Sequence, residues 1–425
     1  MDKKAAAPHG ENEMMETEDQ VQKEMQEEFR KRLQSRLQER VKAREQGLSN
    51  THGLKKKRQV ELHLKSTFGG IVLRVTKGYC PLNKKWIVPI RETWGLAAHQ
   101  QLTPTLQRKL CCTAVETGSF EKASALAAEW GCAVSDDAIR SCVLTLGEKA
   151  RQAPLSTPCS GKAGPEDILI IMMDGWMARH RGKDWGKKTR VQGQERIHWH
   201  EIKSAIIYRL KDQAAISPKR HALLSKHVVA VPAETDPVDF GRRVQDEALR
   251  LGLGEARLVY VVMDGGVWLW NIFEDRFKQC ALGTLDFYHA SQHLHVLAAE
   301  LFRENKDKAR TWCAQILHSL KHHSTKKLFQ TLAELLADPP SQAQSTVSAI
   351  QDASAYFEDH KNHMDYPRAA RNGLPIGSGS MESQCSQFQN RFKRRGQFWM
   401  KKGFAGLLEV CVRHQNGELR SLWAA

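Results

Sequence analysis

The chain contains no long apolar segment. Its longest purely apolar run covers Ile168–Met173, whereas a helix that crosses a membrane needs about 18 apolar residues or more. Residues Met1–Glu18 are polar and contain no apolar core of a secretory signal. The sequence therefore predicts a protein without membrane spans or a membrane partner, and a cytosolic location.

Paired cysteines are also missing. The ten cysteines include no Cys-x-x-Cys pair, and Cys111 and Cys112 are adjacent. This spacing argues against a zinc ribbon and against a secreted disulfide framework. We expect reduced thiols that are mostly buried.

Acidic residues are fewer than basic ones. The chain has 48 Asp and Glu against 64 Lys and Arg, which gives a formal net charge of +16. This excess favours a polyanionic partner, of which nucleic acid is the leading candidate; a basic enzyme without such a partner is the alternative. The length of 425 residues is too great for one ordinary core and predicts two to four structural units, as estimated from usual domain sizes of about 100–200 residues.

Three modules are predicted before the linker that follows residue 152. Apolar residues recur every four positions from Val21 to Val41, which predicts a charged amphipathic helix in segment 1–57 that could follow DNA, pair with another helix or face solvent. Alternation around Phe68-Gly69-Gly70 predicts a hairpin in a β-rich module, 58–102. Segment 103–152 has the pattern of three helices, which could form a DNA-reading helix-turn-helix or a packed bundle.

From Asp167 the pattern changes to that of an α/β domain. Apolar runs at Ile168–Met173 and Leu258–Met263 predict buried strands. Further strands are predicted at Trp199–Leu210, at Val228–Val231 and around Ala281–Leu285. The region that follows, up to about Tyr366, is mainly helical in pattern, and so is the segment from Ser380 onward.

Three carboxylates are candidates for catalysis. Asp174-Gly175 and Asp264-Gly265 each follow an apolar strand, so we expect both carboxylates at strand exits, where ligand crevices form. Glu382 lies in the first turn of a helix after a loop rich in glycine and serine. Each has a structural alternative, because Asp-Gly is a common turn and an acid stabilises a helix N-terminus.

Together these acids have the composition of a magnesium or manganese site. Two Asp and one Glu provide the oxygen ligands that Mg²⁺ and Mn²⁺ prefer. A two-metal site of this kind can activate the attacking oxygen and stabilise the leaving oxygen of an in-line phosphoryl transfer. The sequence therefore predicts metal-dependent chemistry on a phosphodiester.

The chain from about Phe68 to Gly417 resembles the DDE-type transposases of bacterial insertion sequences, most closely the ISKra group. The resemblance depends on four segments in this order: Asp174-Gly175, Asp264-Gly265 with Trp268, Asp286-Phe287-Tyr288-His289, and Pro375–Gly379 before Glu382-Ser383. It implies an α/β, ribonuclease-H-like mixed sheet flanked by helices, with an all-α insertion. We accordingly assign 166–295 to the first part of the catalytic core, 296–370 to the helical insertion, and 371–425 to the C-terminal helices of the core.

The same resemblance implies roles for individual residues. Asp174 on the first strand, Asp264 at the end of the fourth and Glu382 on a helix after the insertion would bind two Mg²⁺ or Mn²⁺ ions. His289 would lie near the scissile phosphate, with a structural histidine as the alternative. Trp312 resembles the tryptophan of the insertion domain in related transposases, although a core aromatic is the simpler interpretation. Relatives often carry paired cysteines in the N-terminal hairpin region, where this chain has only Cys80.

A basic cluster follows Glu382 and is interleaved with aromatic residues. Phosphate contacts and base stacking both suit this composition, so it is our candidate for binding DNA near the metals; a solvated helix face is the alternative. Its predicted DNA-binding members are Arg391, Lys393, Arg394, Arg395, Trp399, Lys401 and Lys402.

The sequence thus predicts a transposase that cleaves DNA at the ends of a mobile element and joins the 3′-hydroxyl to target DNA. The resemblance implies a homodimer or larger assembly in the bacterial cytoplasm, associated with the nucleoid. Two alternatives remain open, namely a nuclease of the same fold without strand transfer, and a domesticated DNA-binding regulator whose carboxylates are relics.

Overall fold

The structure is a computed structural model, which describes residues 9–97, 100–152, 161–188, 195–217, 220–303, 305–341 and 343–423. The α-helices are α1 (His9–Thr51), α2 (Pro89–Thr93), α3 (Pro104–Glu116), α4 (Phe120–Glu129), α5 (Asp136–Gln152), α6 (Pro237–Arg250), α7 (Val267–Ile272), α8 (Phe287–Phe302), α9 (Lys306–His322), α10 (Lys326–Ala337), α11 (Gln344–Asp359), α12 (Tyr366–Arg371), α13 (Gly379–Phe392) and α14 (Lys401–Gln415). The strands are β1 (Lys55–Ser66), β2 (Gly69–Cys80), β3 (Lys85–Ile87), β4 (Ile168–Arg181), β5 (Ile197–Arg209), β6 (Gln213–Ser217), β7 (Arg220–Leu223), β8 (His227–Val231), β9 (Leu258–Met263) and β10 (Leu282–Leu285). No helix in this described part of the chain is long and apolar enough to cross a membrane.

The chain forms two compact units, Met1–Val143 and Leu144–Ala425. The first contains α1, the predicted hairpin and α2 to α4. The division falls inside α5, so the predicted 103–152 module does not end where a unit ends. Within the second unit, a Cβ added to Gly147 of α5 would lie 2.2 Å from the carbonyl oxygen of Gly406 in α14. The last turns of α5 therefore pack closely on α14.

In the first unit, the hairpin of β1 and β2 packs its apolar side under α1. The register pairs Leu62 with Leu73 and Leu64 with Ile71. These four side chains are buried in one cluster with Val41 of α1. Of the predicted amphipathic segment 1–57, residues 1–8 lie outside the described residues, and the exposed Val21, Met25 and Phe29 show that its apolar stripe is covered only further along the helix.

Side chains of α1 bind the backbone of β2 along an edge that β3 does not reach. Strand β3 pairs only with Gly78–Cys80. Side chains about four residues apart on α1 supply hydrogen-bond partners for the open backbone groups of β2. The spacing matches because four helix residues rise about 6 Å, close to the repeat of about 6.6 Å for two strand residues. The bonds run from Arg30 Nη1 to Gly70 O (3.3 Å), from Val72 N to Gln34 Oε1 (3.0 Å), from Gln38 Nε2 to Arg74 O (2.9 Å), from Arg74 N to Gln38 Oε1 (2.8 Å), and from Thr76 N to Glu45 Oε1.

Replacing Gln38 with Ala should open this edge locally. The variant loses two hydrogen bonds to Arg74, so we expect about 1–2 kcal/mol less stability and faster hydrogen exchange in the peptide that covers residues 70–76. Gln22→Ala is the matched control, since Gln22 is an exposed glutamine of the same helix, and it should change stability by less than about 0.5 kcal/mol. Equal exchange in the two variants would contradict the role given to Gln38.

The second unit is built on a five-stranded sheet with the order β10-β9-β4-β5-β8. Strands β4, β9 and β10 are parallel, and β5 is antiparallel to both of its neighbours. When the strands of this sheet are numbered by their order along the chain and read across the sheet from β8 to β10, they lie side by side as third, second, first, fourth and fifth. This arrangement is the ribonuclease-H-like fold, so the predicted fold class is confirmed.

The two faces of this sheet pack against different helices. Leu169, Ile171 and Met173 of β4 belong to a core that includes residues of α6, α8 and the insertion helices α9 to α11. On the opposite face, Trp176 stacks on Phe388 of α13 at 5.6 Å and contacts Phe404 of α14 at 6.0 Å between ring centroids. The helical insertion thus shares one continuous core with the sheet.

The sequence predicted that the strand of Asp174 ends at this residue, but β4 does not end there. It continues to Arg181, and residues 174 to 181 remain paired with β5. The Asp174-Gly175 pair is therefore not a turn, because antiparallel pairing on one side holds the strand extended. Only the parallel pairing with β9 stops here, at Met172 and Val262, so Asp174 lies where the edge of β4 becomes open.

The outer edge of β8 is closed by the end of α14. The backbone N–H of Val228 donates to Asn416 Oδ1 (2.7 Å), and Asn416 Nδ2 donates to the carbonyl of Val228 (2.9 Å). Buried ion pairs lie beside it, with His227 at 3.0 Å from Glu247. These contacts fix α14, which carries the apolar residues that cover one face of the sheet.

Candidate active site

Asp174 and Asp264 lie side by side on neighbouring parallel strands. Met172 of β4 pairs with Val262 of β9, and each aspartate comes two residues later. Burial raises the pKa of Asp174 to about 6, the backbone N–H of Gly175 opposes this rise, and the charge of Asp264 adds to it. Two carboxylates are thus held close together at the open edge of β4.

A tight turn holds Asp264. Its Oδ1 accepts a hydrogen bond from the N–H of Gly266 (2.8 Å), and its carbonyl accepts one from Trp270 Nε1 (2.8 Å). Gly265 is required because a Cβ there would lie 2.2 Å from Cε2 of Tyr356. Trp268, which the sequence singled out, is partly buried and packs against the core.

Glu382 and His289 lie near one another at the same site. Glu382 is in the first turn of α13, where its N–H donates to the carbonyl of Ser378 (3.0 Å). One ligand atom each from Asp286, His289 and Glu382 can be chosen so that all lie within 4.8 Å of one another. The charge of His289 also acts on Asp174, so the imidazole lies near Asp174 as well as near Glu382.

Cys385 links Asp174 to the helix of Glu382. It follows Glu382 by three residues, so the two side chains share a helix face. Its Sγ donates to Asp174 Oδ2 (3.6 Å). The pKa of this thiol is raised by burial and by the neighbouring charges of Asp174 and Glu382. The sequence analysis did not select Cys385, although its spacing from Glu382 was a usable signal.

Asp286 holds the loop that leads to Glu382. Its Oδ1 accepts hydrogen bonds from the N–H groups of Tyr288 (2.6 Å) and His289 (3.2 Å) at the start of α8. Its Oδ2 accepts bonds from the N–H (2.6 Å) and the hydroxyl of Ser378. Since a carboxylate has about four acceptor sites, Asp286 has little capacity left for a metal and acts as a positioning residue.

The remaining acids have the type of ligand atom that a divalent cation prefers. Ion pairs in the described part of the chain involve other carboxylates, such as Asp167, Glu247 and Glu409, and none involves Asp174, Asp264 or Glu382. Like charges that are desolvated together disfavour their own ionisation, and a divalent cation would relieve this. Asp174, Asp264 and Glu382 have the hard oxygen ligands that Mg²⁺ or Mn²⁺ prefers. Among the described residues, however, the ligand atoms that lie within 4.8 Å of one another belong to Asp286, His289 and Glu382, and this group does not include Asp174 or Asp264.

The insertion helix α11 forms a wall of the site that the sequence analysis missed. Tyr356 stacks on His293 of α8, with ring centroids 3.6 Å apart and an interplanar angle of 14°. The pKa of Tyr356 is raised by burial and further by the charges of Asp264 and Asp286. Its distance from Asp264 in sequence left no local pattern that could reveal this contact.

The predicted basic cluster is divided between the core and the surface. Arg391 and Trp399 are buried, the guanidinium of Arg391 lies over the Trp399 ring at 5.6 Å, and burial lowers the pKa of Arg391 to about 10. These two side chains therefore pack inside the fold, whereas the sequence predicted them on a DNA-binding surface, and their contact with DNA stays a prediction. Lys393 is partly exposed and the other members are exposed, namely Arg394, Arg395, Lys401 and Lys402.

Trp312 lies in α9, away from the acids in sequence and in packing. Its ring contacts Phe302 of α8 at 5.9 Å and packs against the main core. This is the position of a core aromatic, which was the simpler of the two interpretations. Its equivalence to the insertion-domain tryptophan of related transposases stays a prediction.

Comparison with known proteins gives two findings. Residues 10–196 match the Uncharacterised protein family (UPF0236), whose description names no activity. One similar solved structure, described as the Drosophila P element transposase strand transfer complex, is 9% identical, covers 75% of this chain and 79% of its own, and has a TM-score of 0.25. A TM-score of this size does not indicate a shared fold, and the fold assignment rests on the strand order. No curated protein shows significant similarity to the chain.

Asp174→Asn should stabilise the metal-free protein at pH 7.5. Because the pKa of Asp174 is raised above its usual 3.8 to about 6, the charged form costs folding stability above that value. The cost shrinks as pH falls through 6 and disappears below about 4. We expect a gain of about 1–3 kcal/mol at pH 7.5 and none at pH 4 in chemical denaturation.

Metal addition should reverse the order of stability. Mn²⁺ should raise the Tm of the unaltered protein at pH 7.5 and leave that of Asp174→Asn unchanged. Asp246→Asn, which changes an exposed aspartate of α6, is the control and should behave like the unaltered protein. A loss of stability in metal-free Asp174→Asn at pH 7.5 would show that the carboxylate is not strained by its surroundings.

Asp286→Asn should loosen the segment that carries Glu382. The amide keeps the shape but turns one acceptor into a donor that faces other donors, so we expect a loss of about 2–4 kcal/mol. Hydrogen exchange should rise most in residues 376–382. Ser378→Ala, which removes the hydroxyl donor and leaves the backbone bond to Asp286, should cost only about 1 kcal/mol; an equal cost for both would argue against a clamp centred on Asp286.

Proposed function

We propose that the chain is a DDE-type transposase of the ISKra-like group of bacterial insertion sequences. It would cleave a DNA strand at an element end and join the resulting 3′-hydroxyl to target DNA. One observation carries this proposal: in a ribonuclease-H-like sheet, Asp174 and Asp264 each come two residues after the paired Met172 and Val262 on neighbouring parallel strands. The resemblance of Asp174-Gly175, Asp264-Gly265 and the loop before Glu382 to that family supports it.

The site residues have distinct roles in this proposal. Asp174, Asp264 and Glu382 would hold Mg²⁺ or Mn²⁺, which supplies charge stabilisation and a more acidic bound water for attack on a phosphodiester. His289 lies within reach of the same space and would orient the scissile phosphate. Asp286 keeps the Glu382 helix at the sheet edge through Ser378.

DNA is the proposed partner. The net charge of +16 suits a polyanion, and Lys401 and Lys402 at the start of α14, with Arg394 and Arg395, are exposed cations in the same unit as the acids. Each phosphate contact of this kind makes affinity fall with salt concentration. Synapsis of two element ends would require at least a homodimer.

The test combines nicking with strand joining. The purified protein is incubated with Mg²⁺ or Mn²⁺ and a supercoiled plasmid that carries the genomic DNA flanking its gene. We expect nicks at discrete positions and covalent joining of labelled 3′-hydroxyl ends to a second plasmid. Asp264→Asn and Glu382→Gln should reduce both reactions by at least about 100-fold, whereas Asp246→Asn should reduce neither.

Other outcomes separate the alternatives. Nicking without joining would identify a nuclease of the same fold. DNA binding that is unaffected by Asp264→Asn, with no cleavage in either metal, would overturn the enzymatic proposal and favour a DNA-binding regulator.

A further inference from the structure

Beyond Asp174, one face of the β4–β5 hairpin is open to solvent. Side chains alternate along a strand, so Met177, Arg179 and Arg181 lie on the face opposite to Trp176. Trp199 of β5 pairs with Arg179 and shares that face. Met177 and Trp199 are exposed, whereas the other face is covered by α13 and α14.

Two tryptophans on this hairpin are exposed although they are large and apolar. Trp199 is 51% exposed and Trp185, in the turn after β4, is 38% exposed. Trp185 contacts Phe398 at 5.0 Å between ring centroids. Large aromatic rings that remain exposed often indicate an interaction surface.

Cations surround these rings. The Arg179 guanidinium lies 5.6 Å from the centroid of Trp199 and 5.0 Å from that of Phe398. Lys393 lies 5.3 Å from Trp199, and Arg181 lies 5.0 Å from Trp185. The set therefore combines flat apolar surface with positive charge. We call it the basic-aromatic platform, formed by Trp185, Trp199, Phe398, Arg179, Arg181 and Lys393.

Single-stranded nucleic acid has the matching chemistry. Every unpaired base offers a face that stacks on an aromatic ring, and its phosphates are attracted by the adjacent cations. A base that stacks on Trp199 would take the place of Lys393, whose flexible side chain could move to the phosphate of the same nucleotide. The acidic side chain of Glu201 on the same face lies opposite Met177, towards the catalytic end.

We infer that the basic-aromatic platform binds unpaired nucleotides of the DNA strand that leaves the active site. This inference rests on the proposed function for the identity of the ligand as DNA. Arg179 follows Asp174 by five residues of β4, which is about 17 Å along the strand, and its side chain lies on the opposite face of the sheet. At about 3.4 Å per nucleotide, a strand that passes from one face to the other reaches the platform at least about five nucleotides from the cut.

Binding is measured without metal, so that cleavage does not enter the result. The probe is a fluorescein-labelled oligothymidylate of about 20 nucleotides, followed by fluorescence anisotropy, with a duplex of the same length as the reference. Trp199→Ala should weaken single-strand binding by about 5- to 100-fold, and Trp199→Phe should restore most of it because the ring face is kept. Duplex binding should change by less than about threefold in both variants.

Trp86→Ala is the matched control. Trp86 lies on β3 of the first unit, is 46% exposed and has Arg58 at 5.4 Å from its ring, so it has the same local chemistry at another place. The Trp86→Ala variant should bind the oligothymidylate with an affinity within about twofold of that of the unaltered protein. Equal losses for Trp86→Ala and Trp199→Ala, or no loss for Trp199→Ala, would overturn the inference, and so would failure of the unaltered protein to bind the single strand.

The result is independent of catalysis. Should the plasmid assay show no cleavage while Trp199-dependent binding of the single strand persists, the platform stands and the transposase proposal fails. A fall in thermal stability of Trp199→Ala without a change in single-strand affinity would reduce the platform to a structural cluster.

Discussion

The carboxylate of Asp286 connects two parts of the catalytic unit that are distant in sequence. It accepts hydrogen bonds from Ser378, 92 residues away, while it also caps the first turn of α8. Between these two points the chain makes the whole helical excursion α8 to α12. Closing so long a loop costs conformational entropy, and a fully buried, four-fold bonded carboxylate offsets part of it. The position of Glu382 at the sheet edge follows from this contact.

The acids at that edge oppose the stability that the rest of the unit provides. Asp174 is partly buried beside Asp264 with a raised pKa, and the thiol of Cys385 is its hydrogen-bond donor from α13. A desolvated carboxylate beside a like charge is unfavourable for folding unless a cation neutralises it. The structure concentrates this unfavourable feature at the place where phosphoryl-transfer chemistry is proposed. Elsewhere in the same unit, Glu247 and Glu409 lie beside cationic partners.

Sequence reasoning located the five strands of the sheet, and β4 and β9 were the plainest because buried parallel strands have continuous apolar runs. The order of the strands was implied only by the family resemblance. Sequence reasoning also selected Asp264 and Glu382, because an Asp-Gly pair after an apolar strand and an acid in the first turn of a helix are local patterns. It misjudged Asp174 as a strand end, since antiparallel pairing with β5 is a long-range property. It could not separate Arg391 and Trp399, which are buried, from the neighbouring exposed cations, because a basic run has the same composition on either side of a helix. Contacts between distant segments, such as Tyr356 over Gly265, left no signal in any local pattern.

The closure of β8 by Asn416 has a consequence for the chemical lifetime of the protein. Asn416 is followed by Gly417. An asparagine before glycine deamidates readily, because the small glycine lets its own backbone nitrogen attack the side-chain carbonyl carbon of the asparagine. In the folded chain the N–H of Gly417 donates instead to the carbonyl of His414 (3.0 Å), and the Asn416 side chain is held by Val228. Deamidation of Asn416 therefore requires the sheet edge to open first. After deamidation, a carboxylate without a proton to donate would face the carbonyl of Val228, and the edge would no longer close.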